Sequence, residues 1–315
     1  MTTRQRIVIQ QHGPIASEPS AIYGEGPALF RIGTNIDQTT GGTGLIAALA
    51  ADYLSQTSKR GSIQWISNHS RNTQLALLHG YIDLALTYER EQEETSVSEG
   101  WAKNEGRVFH DHFCLAGPRD DPANIRGVTS IVEAFDRIAK RKALFHSRSD
   151  GSATMWKERR IWQRCHRRPW AEDSNSNAWY IQSPCIPSEA VAKADAEGAY
   201  LLCDRSTLLT QTGKGLASSL TVYMEPTDAW HELMNSSYAL TSPRTKANTA
   251  QEVRLFLEYI KSPRGQAVIK DFGRETVGLS LFATIEERYA SAPMLGGVAK
   301  SNRWVTDVTQ RQAKL

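Results

Sequence analysis

The stretch HSRSDGSATMW, His146 to Trp156, concentrates a histidine, three serines, an arginine, an aspartate, a glycine and a threonine. It follows the short apolar run ALFHS and leads into TMWKERRIWQRC, which places Met155, Arg159 and Trp162 on one helical face and predicts a helix starting near Ser152. A strand-to-helix junction of this kind leaves up to four unpaired backbone N–H groups at the positive end of a helix dipole. Ser147, Arg148, Ser152 and Thr154 add side-chain donors, so the chemistry on offer is anion binding. A second junction, GTNIDQTTGGTGLI, follows ALFRIGT and presents Thr39, Thr40, Gly41, Gly42 and Thr43 at the start of another predicted helix. Capping alone accounts for either turn. Two such turns in separate halves of the chain point further, to donors that share one anion. Neither turn is a nucleotide loop, because no G-K-[ST] follows TTGGTG and no G-x-G-x-x-G is present.

Other reactive side chains are weaker candidates. His146 is the best placed for acid–base work. In FHDHF, His110 and His112 would share one face of a strand, but the spacing supplies no third ligand, so hydrogen bonding near a hinge is expected rather than a metal. KERRIWQRCHRRPW reads as a solvated basic helix face with packing tryptophans, and REQEETSVSEG as an acidic solvated loop. Asp204 and Arg205 are expected to pair and fix the loop after AYLLC. Cys114, Cys165, Cys185 and Cys203 form no C-x-x-C and read as buried reduced thiols. No cofactor is expected.

The elements that must carry these turns alternate in strand and helix. ALFRIGT, SIQWIS, IDLALTY, HFCLAG, ALFHS, AYLLC and SSYALTSP read as strands. GLIAALAADYL, NTQLALLHG, GVTSIVEAFDRIAKR and EAVAKADAEG read as helices, and AQEVRLFLEYIKSP sets Val253, Phe256, Leu257 and Ile260 at the spacing of one apolar face. The class is therefore α/β. At 315 residues, two domains are expected, and the 40% apolar and 23% charged composition is that of a globular protein. A net charge of +3 does not argue for a nucleic-acid partner. The start, MTTRQRIVIQQHG, holds no apolar run of signal-peptide length, and no stretch approaches the roughly 18 apolar residues of a spanning helix. As it stands the sequence reads as cytoplasmic, without membrane insertion.

Several of these stretches together resemble a family, the type II periplasmic solute-binding proteins, and within it the tungstate-binding branch of ABC importers. TTGGTGL at Thr39 to Leu45 resembles the family's first anion loop, and GYIDLALT at Gly80 to Thr87 its glycine-aspartate strand. GPRDDPANI at Gly117 to Ile125 resembles its domain boundary, and SRSDGSAT at Ser147 to Thr154 its S-R-G-D-x-S-G-T loop. Trp179-Tyr180, AYLLCDRST at Ala199 to Thr207, and FLEYIKSPRGQAVIKDFG at Phe256 to Gly273 resemble later segments. The departures are specific. Ser70-Arg71-Asn72 stands where the family has T-G-Q, while Ser149 and Ala153 stand at glycines.

The resemblance implies a two-lobed type II periplasmic-binding-protein-like fold with a two-strand hinge and an interlobe cleft. Residues 1–26 would be an N-terminal extension, 27–112 with 243–290 lobe 1, 118–236 lobe 2, 113–117 and 237–242 the hinge strands, and 291–315 a C-terminal tail. It implies a small anion of tungstate or molybdate type, bound by Thr39, Thr40, Ser70, Arg71, Ser147, Arg148, Ser152 and Thr154, with Arg148 as charge partner. A periplasmic or extracellular setting and an importer partner belong to the same family, although the start of this sequence argues against that partner. The rival expectation is a cytosolic enzyme that uses the same cleft for acid–base or cyclisation chemistry on an organic substrate, with His146, Arg71 and Arg148 as its polar groups.

Overall fold

A computed structural model of the chain describes residues 13–34, 44–57, 60–172, 177–289, 294–295, 298–300 and 303–305. In chain order the elements are β1 (Ala21–Glu25), β2 (Ala28–Thr34), α1 (Leu45–Thr57), β3 (Gly61–Ser67), α2 (Ser70–Leu78), β4 (Leu84–Thr87), α3 (Arg90–Ser98) and the long β5 (Lys103–Pro118). There follow α4 (Ile131–Arg141), β6 (Phe145–Ser147), α5 (Ala153–Arg164), β7 (Tyr180–Gln182), α6 (Pro187–Glu197), β8 (Leu201–Asp204), α7 (Arg205–Gly213) and β9 (Leu220–Met224). The chain continues through β10 (Met234–Thr241), α8 (Ala247–Lys261), α9 (Pro263–Asp271), α10 (Arg274–Val277), β11 (Val298–Lys300) and β12 (Arg303–Val305).

These elements form two compact units. The first takes the described residues up to Val108 together with Ser237–Gly265, and the second takes Phe109–Ser236 with those from Gln266 onward. The chain thus leaves the first unit within β5 and returns to it within β10. The sequence reading keeps 243–290 together in the first lobe, whereas the contacts divide that stretch at Gly265/Gln266. The cause is specific: Ala283 exchanges backbone hydrogen bonds with His110, and the Arg205 Nε–H donates to the Ser280 carbonyl.

In the first unit β2 lies parallel to both β3 and β4, with Ile32 opposite Leu84, and β1 and β10 close the two sides antiparallel. Buried on both faces, β4 opens on the apolar run Leu84 to Leu86, as the sequence pattern requires. The α8 face of Val253, Phe256, Leu257 and Ile260 is buried as its spacing predicts, and Phe256 packs on Phe30 and Tyr53. Residues 21–25, read as part of an extension, form β1, while Asn68 exchanges hydrogen bonds with the backbone of Ala16. REQEETSVSEG is not a solvated loop but α3, because Glu93 and Ser96 face inward and bond to Thr87 and Gln74.

In the second unit β5 pairs antiparallel with β8 and β9, and β6 pairs parallel with β7. The His146 N–H donates to the Tyr200 carbonyl at 2.8 Å, which holds β6 beside the start of β8. The core here is aromatic: Trp162 meets Phe135 at 4.5 Å, Phe145 at 5.2 Å and Trp179 at 5.5 Å between ring centroids. That stack fixes α5 over β6, and so fixes the turn that joins them.

Candidate functional site

The β6–α5 turn is built by capping chemistry. Ser152 is the extended residue before α5, and its hydroxyl accepts from the Met155 N–H while its carbonyl accepts from Trp156. The N–H groups of Ala153 and Thr154, in the first turn, have no intrahelical acceptor by construction. The path into the helix passes through left-handed backbone at Ser149, φ 48°, and Gly151, φ 76°. Ser149 therefore carries left-handed backbone at a non-glycine residue.

Arg148 is folded back over this helix start and is only 6% exposed. One guanidinium nitrogen, Nη2, donates to the Asp150 carboxylate, and Nη1 lies 3.5 Å from the Thr154 hydroxyl. Among the described residues the Nε–H has no acceptor, although it is buried. Asp150 in turn accepts the Ser152 N–H at 3.0 Å, so an internal carboxylate already ties the arginine to the helix start. Four of the expected residues, Ser147, Arg148, Ser152 and Thr154, come together in this one turn. Each is at least nine-tenths buried.

His146 lies just before the turn, 2% exposed, with Nε2 3.6 Å from the Glu197 carboxylate and Nδ1 buried without a partner among the described residues. Burial, the larger effect, holds its pKa below the usual value for histidine. Behind the turn lies Glu158, whose carboxylate accepts the Tyr180 hydroxyl at 2.6 Å and the Trp162 indole N–H at 3.2 Å. Burial pushes this carboxyl up to about 7 despite those donors and the Ser147 hydroxyl, which also lowers it. The inward face of α5 is thus Met155, Glu158 and Trp162 rather than Met155, Arg159 and Trp162. Sequence reasoning missed Asp150 and Glu158. The first lies two residues after Arg148, and the second completes the helical spacing from Met155 to Trp162.

Ser70 and Arg71 lie in the first unit, at the start of α2. Arg71 makes a two-pronged ion pair with Glu89, Nε–H and Nη2–H donating at 2.8 to 3.0 Å, and both side chains are nearly nine-tenths buried. Thr39 and Thr40 lie outside the described residues.

The remaining candidates have structural partners. His110 Nδ1 lies 2.7 Å from the Ser236 hydroxyl, and His112 Nε2 lies 3.1 Å from Glu225. Asp204 caps α7, accepting from the Ser206 and Thr207 hydroxyls and the Thr207 N–H. Arg205 turns to Glu225 at 3.6 Å. Among the described residues no helix is long and apolar enough to cross a membrane.

Comparison with known proteins adds a frame to this geometry. A family model described as the PBP superfamily domain matches residues 25–264. A Haloferax volcanii protein named as an ABC transporter anion-binding protein is 28% identical over 234 residues, which are 73% of this chain and 65% of that protein's length. The tungstate-binding protein TupA of Peptoclostridium acidaminophilum is 27% identical over 207 residues, 64% of this chain and 68% of its own. The solved tungstate-binding protein TupA of Desulfovibrio alaskensis G20 superposes with a TM-score of 0.66 at 23% identity, covering 82% of this chain and 99% of that one.

Proposed function

Because the chain belongs to the PBP superfamily, we propose that it binds a small oxyanion of tungstate or molybdate type at the β6–α5 turn of its second unit, without covalent chemistry. One observation carries this reading: among the described residues the buried Arg148 Nε–H has no hydrogen-bond partner, and it belongs to the turn that leads into α5. A buried cation with a spare donor favours an anion, and charge-assisted hydrogen bonds are the stronger kind. Ser147, Ser152 and Thr154 contribute hydroxyls, and the N-terminal end of α5 contributes its dipole. Relatives named for binding tungstate or anions support the same ligand class.

Arg71 is assigned a structural role here, since Glu89 takes both its Nε–H and its Nη2–H, whereas Asp150 takes only Nη2 of Arg148. Ser70, Thr39 and Thr40 are retained as candidate contacts. A periplasmic or extracellular setting and delivery to an importer are part of the same proposal. Cell fractionation tests the setting.

The test is calorimetry and thermal unfolding with tungstate, molybdate, sulfate and phosphate. An anion at about 100 times its dissociation constant raises stability by about 2.7 kcal/mol if it binds only the folded state. Melting curves unmoved by all four anions at millimolar concentration sink the reading.

A further inference from the structure

Cys114 and Cys203 face each other in the second unit. They are register partners in the antiparallel pairing of β5 with β8, their Sγ atoms lie 3.5 Å apart, and they are 0% and 4% exposed. Opposed residues in an antiparallel pair have Cα atoms roughly 4.5–5.5 Å apart, inside the roughly 4.4–6.8 Å that disulfides span. A bond would bring the sulfurs from 3.5 Å to about 2.0 Å. Cys165 and Cys185, half-exposed, share no such contact with either. We propose that Cys114 and Cys203 are a disulfide-forming pair, a cross-strand site oxidised by a small-molecule disulfide of the glutathione class.

The reaction balances through thiol–disulfide exchange. The Cys203 thiolate attacks one sulfur of the oxidant, forming a mixed disulfide and releasing one glutathione thiolate. Cys114, as thiolate, then displaces the second glutathione and forms the Cys114–Cys203 bond. Both protein thiol protons end on the two released glutathione thiols, so two protein cysteines are oxidised and one glutathione disulfide is reduced. Contact with Cys203, and then burial, push the Cys114 thiol up, so exchange is slow in the folded chain and proceeds during folding.

The bond would close a loop between residues 89 positions apart, a long one, and would tie β5 to β8, beside which β6 is held. The full chain is refolded in a glutathione redox buffer and, in parallel, in excess reductant. The expected oxidised product has a mass lower by two hydrogens, a linked peptide pair containing Cys114 and Cys203, and a Tm higher by about 5–15 °C. That Tm gap is expected to vanish in Cys114→Ala and in Cys203→Ala. Full alkylation of both cysteines in the unfolded, unreduced product overturns the proposal, as does a link formed through Cys165 or Cys185; neither readout depends on the variants folding.

Discussion

Two strand-to-helix junctions each set a serine and an arginine in sequence, Ser70-Arg71 opening α2 in the first unit and Ser147-Arg148 ahead of α5 in the second. Their arginines meet different fates. Arg71 is gripped through Nε and Nη2 by Glu89, a carboxylate supplied 18 residues later at the start of α3. Arg148 is held on one edge by Asp150, two residues away, and its Nε–H stays unpartnered in a buried setting. The availability of a cation is decided by which carboxylate the fold brings to it and by which edge that carboxylate takes.

The sharpest way to break the comparison is to remove each arginine's fork and measure tungstate affinity. Arg148→Lys keeps the charge but loses the planar donors, and the expected loss is about 10- to 100-fold, the value of one or two charge-assisted bonds. Arg71→Lys should change affinity by less than about threefold. Calorimetry that ranks the two variants the other way round would move the site to the first unit.

Stability should rank them in the reverse order. Arg71→Ala removes a two-pronged ion pair from the nearly buried Glu89 carboxylate, and the expected cost is about 2–3 kcal/mol in denaturant unfolding. Arg148→Ala also strands a carboxylate, Asp150, but one that keeps the Ser152 N–H, so the expected cost is smaller, about 1–2 kcal/mol. Equal costs would mean that the two pairs are structurally equivalent.

Each unit also buries one glutamate whose carboxyl is pushed up to about 7 by burial, Glu93 beside Thr87 and Glu158 beside Tyr180. A folded pKa near 7 against an unfolded value of about 4.3 means that the folded chain holds the extra proton between those limits. The associated stability is fully present below about pH 4.3 and is lost as the pH rises to about 7. Glu158→Gln keeps the acceptor without the charge, so the stability of parent minus variant should fall by about 2 kcal/mol from pH 5 to pH 7.5. A pH-independent difference would show that Glu158 stays ionised throughout.

The smallest expected effect is local. Ser152→Ala removes the α5 cap and should cost about 1 kcal/mol. Because the Ser152 hydroxyl is also a proposed anion donor, tungstate affinity should fall with it. A stability loss with unchanged affinity would leave Ser152 a cap and nothing more.

The chain's own pattern was enough to place most elements. Local signals sufficed wherever a short apolar run or a 3, 4, 7 spacing dictated which side is buried, as in α8, β2 and β4. The donor-rich turn before α5 was legible for the same reason, since a cap and a nearby arginine are neighbours in sequence. Element ends were harder: β5 runs over 16 residues, where HFCLAG alone reads as strand, because residues 103–107 are largely polar and exposed or half-buried and the buried His110 and Asp111 interrupt the apolar pattern. The acidic stretch at 90–98 looked solvated because the inward turn of Glu93 depends on Thr87, which only packing supplies.

Partnership across long separations was set by packing in three dimensions. Glu89 could not be assigned to Arg71, Ser206 to Asp111, or Cys203 to Cys114 from spacing, because each pair forms where strands or helix ends converge. Sequence supplied the charges, hydroxyls and thiols, together with the periodicity that makes strands and helices. The fold supplied the burial that raises Glu158 and the geometry that occupies Arg71 while leaving the Arg148 Nε–H unpaired. Those outcomes depend on distance and desolvation, which are set in space by residues remote in the chain.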